Sequence, residues 1–246
     1  MAIAAADLKA YQAANHAEDD AGTQGGAIAT AGIVEFTDIV ATDNIEILSD
    51  GADTRNLTLT GRLASGAIAS EVLALNGTTP VTSVNQYERL LKAVLASADG
   101  ARTVTVRRAT GDTLIATLGP NITSTRRLFY DSFSDPSVQK VRCEKFFYKN
   151  THGTLQLNAA SFKLTADPSA TIRAGCAGSK GDSATTANRL ATPAGVTFVD
   201  DNVSQSIPTG ALAAGEVIGV WVEMTLTAAN APIKSTFTTQ LSGNSI

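Results

Sequence analysis

Short hydrophobic runs separated by turn-forming residues recur along most of this chain, and this pattern constrains its fold more than any other feature. The runs at 56–63 and 103–107 alternate polar and apolar residues with a period of two, which places one side of each run in a core and the other toward water. Asn76-Gly77 and Ser49-Asp50-Gly51 supply turns, because Asn, Asp and Gly tolerate positive φ. The pattern predicts a mainly β protein of half-buried strands.

The runs fall into two groups, which predicts two β-sandwich domains after an N-terminal arm. Residues 33–130 hold runs at 33–36, 45–48, 56–63, 68–75, 103–107 and 113–118. Residues 131–246 hold further runs with no helical pattern, which is typical of an Ig-like or jelly-roll sandwich. A length of 246 residues accommodates two domains of about 100–150 residues each. The single Trp221, within Val220-Trp221-Val222, is predicted to anchor the core of the second domain.

One segment of the first domain, residues 83–98, has helical spacing instead. Ser83 and Gln86 suit a capping box, and Gly100 can end a helix. The apolar residues that would share one helical face are Tyr87, Leu90, Leu91, Val94 and Leu95. We therefore expect a helix over 83–98 packed on the sheet of this domain.

Residues 1–32 are expected to form an assembly arm rather than part of a domain. A helical stripe through Leu8 and Tyr11 is too thin to hold a core. The glycines from Gly22 to Gly26 predict a flexible connector, because glycine loses the most entropy on ordering. Such an arm would become ordered against another subunit.

Charge is distributed unevenly along the chain. Residues 1–53 contain ten acids and one base, whereas residues 100–149 contain nine bases and four acids. This opposition predicts that Glu18, Asp19 and Asp20 of the arm contact a basic region, in the same subunit or in a neighbouring copy. The candidate basic interface consists of Arg107, Arg108, Arg126 and Arg127. The alternative is two unrelated solvated faces.

Residues suited to catalysis or metal binding are sparse. The histidines are His16 in the arm and His152 in a turn, and no nucleophile motif accompanies them. Cys143 and Cys176 could form one disulfide, but two small buried thiols are the simpler interpretation, and the four residues lack zinc-type spacing. We expect no catalytic, cofactor or metal site, and calcium binding to the acidic turns at 43–53 stays open.

Membrane and nucleic-acid partners are not favoured. No apolar run reaches the roughly 18–20 residues of a transmembrane helix, and no basic region precedes the few apolar residues at the N-terminus, so neither a membrane span nor a signal peptide is expected. Phe146, Phe147 and Tyr148 could stack on bases beside the basic residues. The alternation at 141–146, however, also fits a strand with its charged residues outward.

Several motifs in residues 145–243 resemble an Ig-like module of tailed-bacteriophage virion structural proteins. The motifs are Lys149-Asn150-Thr151-His152-Gly153-Thr154-Leu155, Thr165-Ala166-Asp167-Pro168, Asn188-Arg189-Leu190, Pro193-Ala194-Gly195-Val196-Thr197-Phe198 and Gly210-Ala211-Leu212-Ala213-Ala214-Gly215-Glu216-Val217-Ile218-Gly219-Val220-Trp221-Val222. Upstream, Asn76-Gly77-Thr78-Thr79-Pro80-Val81 and Tyr87-Glu88-Arg89-Leu90-Leu91 are also similar to such proteins. The resemblance implies an assembly role in a virion made in the bacterial cytoplasm, with other copies and neighbouring virion proteins as partners.

The resulting hypothesis is a non-enzymatic structural subunit, either a head decoration protein or a neck, collar or tail component. An Ala/Thr/Gly-rich β chain with opposed charges suits a subunit that is repeated many times and gains order from its interfaces. The alternative is a carbohydrate-binding β-sandwich module that mediates surface adhesion. That role needs exposed aromatic residues, and one Trp and four Tyr are a small supply.

Overall fold

The predicted mainly β fold is confirmed in a computed structural model, which describes residues 2–130, 134–166, 171–229 and 236–245. The strands are β1 (Leu8–His16), β2 (Gln24–Ile33), β3 (Asp43–Ser49), β4 (Asn56–Leu63), β5 (Ile68–Ala74), β6 (Val81–Leu95), β7 (Val104–Arg108), β8 (Leu114–Leu118), β9 (Ser124–Arg126), β10 (Lys140–Asn150), β11 (Leu157–Ala166), β12 (Ile172–Lys180), β13 (Thr185–Thr186), β14 (Gln205–Ser206), β15 (Ala211–Leu212), β16 (Val217–Leu226) and β17 (Thr238–Ser245). Two 3₁₀ turns, Ala5–Asp7 and Pro208–Gly210, are the helical elements of the described residues. None of these is long and apolar enough to cross a membrane. Residues 167 and 168 of the Thr165-Ala166-Asp167-Pro168 motif lie outside the described residues.

The chain divides into two compact units. The first unit combines Met1–Ala29 with Asp131–Ile246, and the second unit is Thr30–Tyr130. The second unit ends at Tyr130, and the first 29 residues belong to the unit that holds the C-terminal half of the chain. The sequence instead predicts a separate N-terminal arm.

Two sets of strands form the first unit. One sheet has the order β12-β16-β10-β1, with β1 lying between β10 and β2. In the other, β11 pairs with β17 on one side and with β14 and β15 on the other. Tyr148 of β10 connects the two sheets: its ring lies 6.3 Å from that of Phe162 and its hydroxyl is 2.7 Å from Thr239 Oγ1.

The core of the first unit lies along β10 and β16, which pair over their whole length from Lys140↔Leu226 to Lys149↔Val217. Its buried apolar side chains include Phe146, Phe147, Phe162, Ile218, Val220, Trp221 and Val222. Trp221 is 1% exposed, so the structure places the predicted core anchor inside the unit.

The second unit is built around the long strand β6. Its first half pairs with β3, which continues to β7 and β8. Its second half pairs with β4 on one side, continuing to β5, and with β9 on the other. The apolar side chains between these strands include Ile45, Ile47, Leu57, Leu59, Leu90, Val104, Val106 and Leu118, all fully buried.

The helix predicted over 83–98 is wrong, because this segment is strand β6. Its pairing with β4 has register shifts opposite Thr60/Gly61 and Arg62/Leu63, so extra residues interrupt the two-residue alternation. These irregularities place Tyr87, Leu90, Leu91 and Leu95 inward at intervals that imitate a helical face. Ser83 is not a helix cap; its Oγ accepts the Ile45 amide proton at 2.8 Å.

The N-terminal arm is also a wrong prediction. Strand β1 pairs with β10 from Leu8↔Asn150 to Gln12↔Phe146, and Tyr11 is buried. The expected flexible connector contributes Gly25 and Gly26 to β2, both buried with φ of 84° and 91°. These glycines fit a close approach rather than a hinge, because a Cβ on Gly25 would lie 2.7 Å from Trp221 Cη2. The few apolar residues of β1 are sufficient to order this segment, because the edge of β10 pairs with β1.

Candidate functional site

The most distinctive feature of the first unit is a run of charged side chains in the buried centre of β10. Arg142, Glu144 and Lys145 are each less than 5% exposed. The expectation that the charged residues at 141–146 face outward is therefore wrong, because both faces of β10 are covered. We call these three residues and their partners the β10 cluster. A charge is retained inside a protein only when hydrogen bonds and an opposite charge replace its water, and each member of the cluster has such partners.

Lys145 is held in a cage of oxygen atoms. Its Nζ donates to Asp182 Oδ2 at 2.7 Å, to Asp182 O at 2.8 Å, to Gly26 O at 3.2 Å and to Ala184 O at 3.3 Å. The Phe147 ring lies 4.8 Å from the ammonium. Burial lowers the pKa of Lys145, and the hydrogen bond to Asp182 opposes that shift. The cage joins the loop after β12 and the start of β2 to the centre of the sheet.

Glu144 forms the second contact of the β10 cluster. Its Oε1 lies 2.6 Å from Nη2 of Arg189, and both side chains are at most 1% exposed. His16 approaches from β1, with Nδ1 3.7 Å from Glu144 Oε2. Because His16 Nε2 accepts the Ala13 amide proton at 3.0 Å, the proton of the neutral ring lies on Nδ1, which faces the carboxylate.

Arg142 forms the third contact, and here the predicted charge pairing is present within one chain. Its Nε and Nη2 donate to the two carboxylate oxygens of Asp20 at 2.6 and 2.9 Å, and Lys140 Nζ adds a contact at 3.2 Å. The hydrogen bond from Arg142 is the largest cause that lowers the pKa of Asp20 below its usual value. The turn between β1 and β2 is therefore fixed to β10 by a two-point ion pair.

The other predicted arm residues have different roles. Leu8 begins β1 opposite Asn150, and Tyr11 lies in the core opposite Phe147. Asp19 Oδ1 accepts the amide protons of Ala21 and Gly22, which closes the turn after β1. The side chain of Glu18 is exposed, and its carbonyl oxygen lies 3.5 Å from Arg189 Nη1. Among the three predicted acids, Asp20 forms the ion pairs with Lys140 and Arg142.

The four arginines of the candidate basic interface do not form an exposed patch. Arg107 pairs with Glu46 at 2.9 Å, Arg108 with Asp43 at 2.9 Å and Arg127 with Asp38 at 2.8 Å. Arg126 is 5% exposed, with its guanidinium 5.1 Å from the centre of the Tyr130 ring. Burial lowers the pKa of Arg127 to about 10, which is consistent with a side chain held inside the second unit. All four side chains are used within their own unit.

Carboxylates of the acidic turns considered for calcium form ion pairs with arginines. Besides Asp43 and Glu46, Asp53 accepts hydrogen bonds from Arg55, and this contact is the main cause that lowers the pKa of Asp53. Over the four described ranges, no group of three or more His, Cys, Asp or Glu side chains is placed to hold a metal ion.

Neither thiol is activated in this structure. Cys143 and Cys176 are free cysteines, and burial raises the pKa of each to about 12. His152 closes a turn, since its Nδ1 accepts the amide protons of Thr154 and Leu155 at 3.1 and 2.9 Å. Phe146, Phe147 and Tyr148 are buried and cannot stack on nucleotide bases.

Most of the β10 cluster could not be found from the sequence. Glu144 and Lys145 lie in a strand that the pattern predicts correctly, but the pattern gives no sign that both faces are covered. Asp182 and Arg189 lie in segments without periodicity. The one available signal was the presence of three charged residues inside an otherwise apolar run of eight, residues 141–148, which is unusual for an exposed strand.

Comparisons with known proteins give no family for this chain. No protein-family model matches it, and no curated protein matches it. Among solved structures, the VP2 subviral particle of infectious bursal disease virus aligns with all of this chain and 68% of its own, at 11% identity and a TM-score of 0.12. A similarity at that level carries no argument about fold or function.

Proposed function

We propose that this chain is a non-enzymatic structural subunit of a tailed-phage virion, located in the head decoration, neck, collar or tail, and acting through multi-copy protein–protein assembly. The observation that carries the proposal is the two-sheet arrangement of the first unit, with Tyr148 of one sheet against Phe162 and Thr239 of the other. Antiparallel sheets packed in this way are typical of Ig-like sandwiches. The sequence motifs at 145–243 that resemble a phage Ig-like module fall in the same unit.

The chemistry of the buried polar groups supports a structural role. The β10 cluster uses its charges to attach the turn after β1, the start of β2 and the loop after β12 to one strand. Removing one partner of a buried ion pair costs a protein about 3–5 kcal/mol, so such contacts specify one arrangement of the connections. A subunit that must present the same surface in many copies benefits from this rigidity.

Immunogold electron microscopy and quantitative mass spectrometry of purified phage particles test the proposal. We expect label at one morphological position and several copies of the chain per particle. Particles of a phage whose genome lacks the coding sequence are the control. A chain that is absent from purified particles, or present at less than one copy per particle, would contradict the proposal.

The carbohydrate-binding alternative gains no support from the aromatic residues. Trp221, Tyr11, Tyr87 and Tyr148 are all at most 8% exposed, so none of them offers a flat surface for a sugar ring. Binding of the purified chain to an immobilised glycan, abolished by substitution of a surface residue, would favour this alternative over the virion role.

A further inference from the structure

The edge of the second unit at β5 is open in the structure. β5 pairs with β4 from Asn56↔Ala74 to Arg62↔Ile68, and among the described strands it has no partner on its other side. Ile68 and Val72 lie on the same face of β5 and are 42% and 60% exposed. An open edge offers unpaired backbone donors and acceptors, and exposed β-branched residues add apolar contact area to a strand that joins it.

The edge lacks the features by which proteins usually prevent such pairing. β5 contains no Lys, Arg or Pro, and its single charged residue is Glu71. The Glu71 carboxylate is already engaged within the chain, accepting the amide protons of Val84 and Asn85 at 2.7 and 3.0 Å. β5 therefore presents no basic side chain to an incoming strand, and its one charge is held in place at Glu71.

The side chains of β5 are complementary to a second copy of the same strand. In an antiparallel pair centred on Ser70, Ile68 of one copy lies opposite Val72 of the other, and symmetry repeats this apolar contact. The same register places each Glu71 opposite the small, neutral Ala69. A pair centred on Glu71 would instead place the two carboxylates opposite each other, which is unfavourable. Charge therefore disfavours the register centred on Glu71, and the two Ile68–Val72 contacts favour the register centred on Ser70, with a second copy of β5 as the occupant.

We propose that β5 is a self-association strand through which two copies of this chain pair antiparallel about a two-fold axis at Ser70. The pairing extends the β4–β5 part of the sheet into the second copy. The inference deepens the multi-copy role proposed above and rests on it for its biological meaning.

Disulfide trapping of Ser70→Cys tests the register directly. Residues that face each other in an antiparallel pair have Cα atoms about 4.5–5.5 Å apart, within the range a disulfide spans. Under mild oxidation we expect Ser70→Cys to form a covalent dimer at least about tenfold faster than Val40→Cys, because pairing raises the local thiol concentration. Val40 is the matched control, being 83% exposed but outside β5. The wild type, in which Cys143 is buried and Cys176 half-buried, reports the background.

Sedimentation of the purified chain gives a second readout that needs no cysteine. We expect a concentration-dependent dimer for the wild type and for Val40→Lys, and a dissociation constant raised at least about tenfold for Val72→Lys, which removes an apolar contact on both copies. The fluorescence of Trp221 in the first unit and circular dichroism verify that each variant is folded.

A wild type that remains monomeric at about 100 μM, which excludes an association of micromolar strength, would overturn the inference. Equal trapping rates for Ser70→Cys and Val40→Cys would overturn it as well. Because these experiments contain no particle, either result leaves the virion proposal standing. Absence from particles together with a trapped Ser70→Cys dimer would reject the virion role and keep the self-association strand.

Discussion

Lys145 and Trp221 face each other across β10 and β16, and the Lys145 ammonium lies 5.5 Å from the centre of the indole ring. Gly25 approaches the same ring so closely that any Cβ there would collide with it. The ammonium also binds the carbonyl oxygen of Gly26. One buried cation and one aromatic ring therefore fix the start of β2 against the sheet, where the sequence predicts a flexible connector.

Replacing Lys145 by Met tests this arrangement. The apolar stem is kept, but four oxygen contacts lose their donor and Asp182 loses its counter-charge. We expect the free energy of unfolding to fall by about 2–4 kcal/mol. Lys149→Met, on the same strand and half-buried, should change it by less than about 0.5 kcal/mol. Urea denaturation followed by Trp221 fluorescence compares the two, and equal effects would contradict a special role for the Lys145 cage.

Replacing Trp221 by Ala tests the core of the first unit. We expect a loss of about 3–5 kcal/mol from the removed contacts and the cavity left behind, and a smaller loss for Trp221→Phe, which keeps an aromatic ring. In the wild type the indole emission should be blue-shifted and poorly quenched by iodide. A red-shifted, fully quenched emission with unchanged stability would indicate an exposed ring instead.

Strand positions follow from the sequence because they depend on local alternation. The run at 56–63 coincides with β4, the run at 68–75 differs from β5 by one residue, and the run at 103–107 is shifted from β7 by one residue. Turn residues mark where each strand ends. Both the alternation and the turn residues can be recognised within a window of about ten residues.

Pairing partners do not follow from the sequence, because they depend on residues far apart. Asp20 and Arg142 are 122 positions apart, and no local pattern connects them. Strand β6 shows a different failure, in which irregular pairing with β4 gives Tyr87, Leu90 and Leu91 the spacing of a helix. Bulges are set by neighbouring strands, so local periodicity misreads them.

The Asp20–Arg142 pair predicts a specific dependence of stability on pH. The pKa of Asp20 lies below its usual 3.8 in the folded protein, so the folded state binds fewer protons than the unfolded state in that range. The stabilisation is complete above the unfolded pKa and is lost as pH falls through the folded value. Asp20→Asn should therefore cost about 1 kcal/mol at pH 7 and less at pH 2. Asp200→Asn, which keeps a local turn contact, is the control in urea titrations at both pH values.

The raised pKa values of the two thiols predict that both react slowly with a thiol reagent. Because burial raises the pKa of Cys143 and Cys176 to about 12, almost no thiolate forms at pH 8. We expect an aromatic disulfide reagent to label neither thiol of the native protein within minutes, and both after denaturation in urea. Rapid labelling of one thiol in the folded protein would show that it is accessible.

Deletion of residues 2–22 distinguishes a core strand from a dispensable arm. The deletion removes β1, with buried Ala10, Tyr11 and Ala13, and the Asp20 ion pair, and it opens the edge of β10. We expect the first unit to lose at least about 3 kcal/mol, comparable to truncating a large core residue.

Deletion of residues 2–6 is the matched control, since it ends before Asp7, whose carbonyl oxygen accepts the Thr151 amide proton. Trp221 fluorescence reports the first unit, and amide exchange measured on peptides from residues 30–130 reports the second. Deletion of residues 2–22 should lower the stability of the first unit, as reported by Trp221 fluorescence. The exchange protection of the second unit should persist, because the second unit has its own core. If the chain without residues 2–22 keeps the wild-type unfolding midpoint, β1 is the dispensable arm that the sequence predicts.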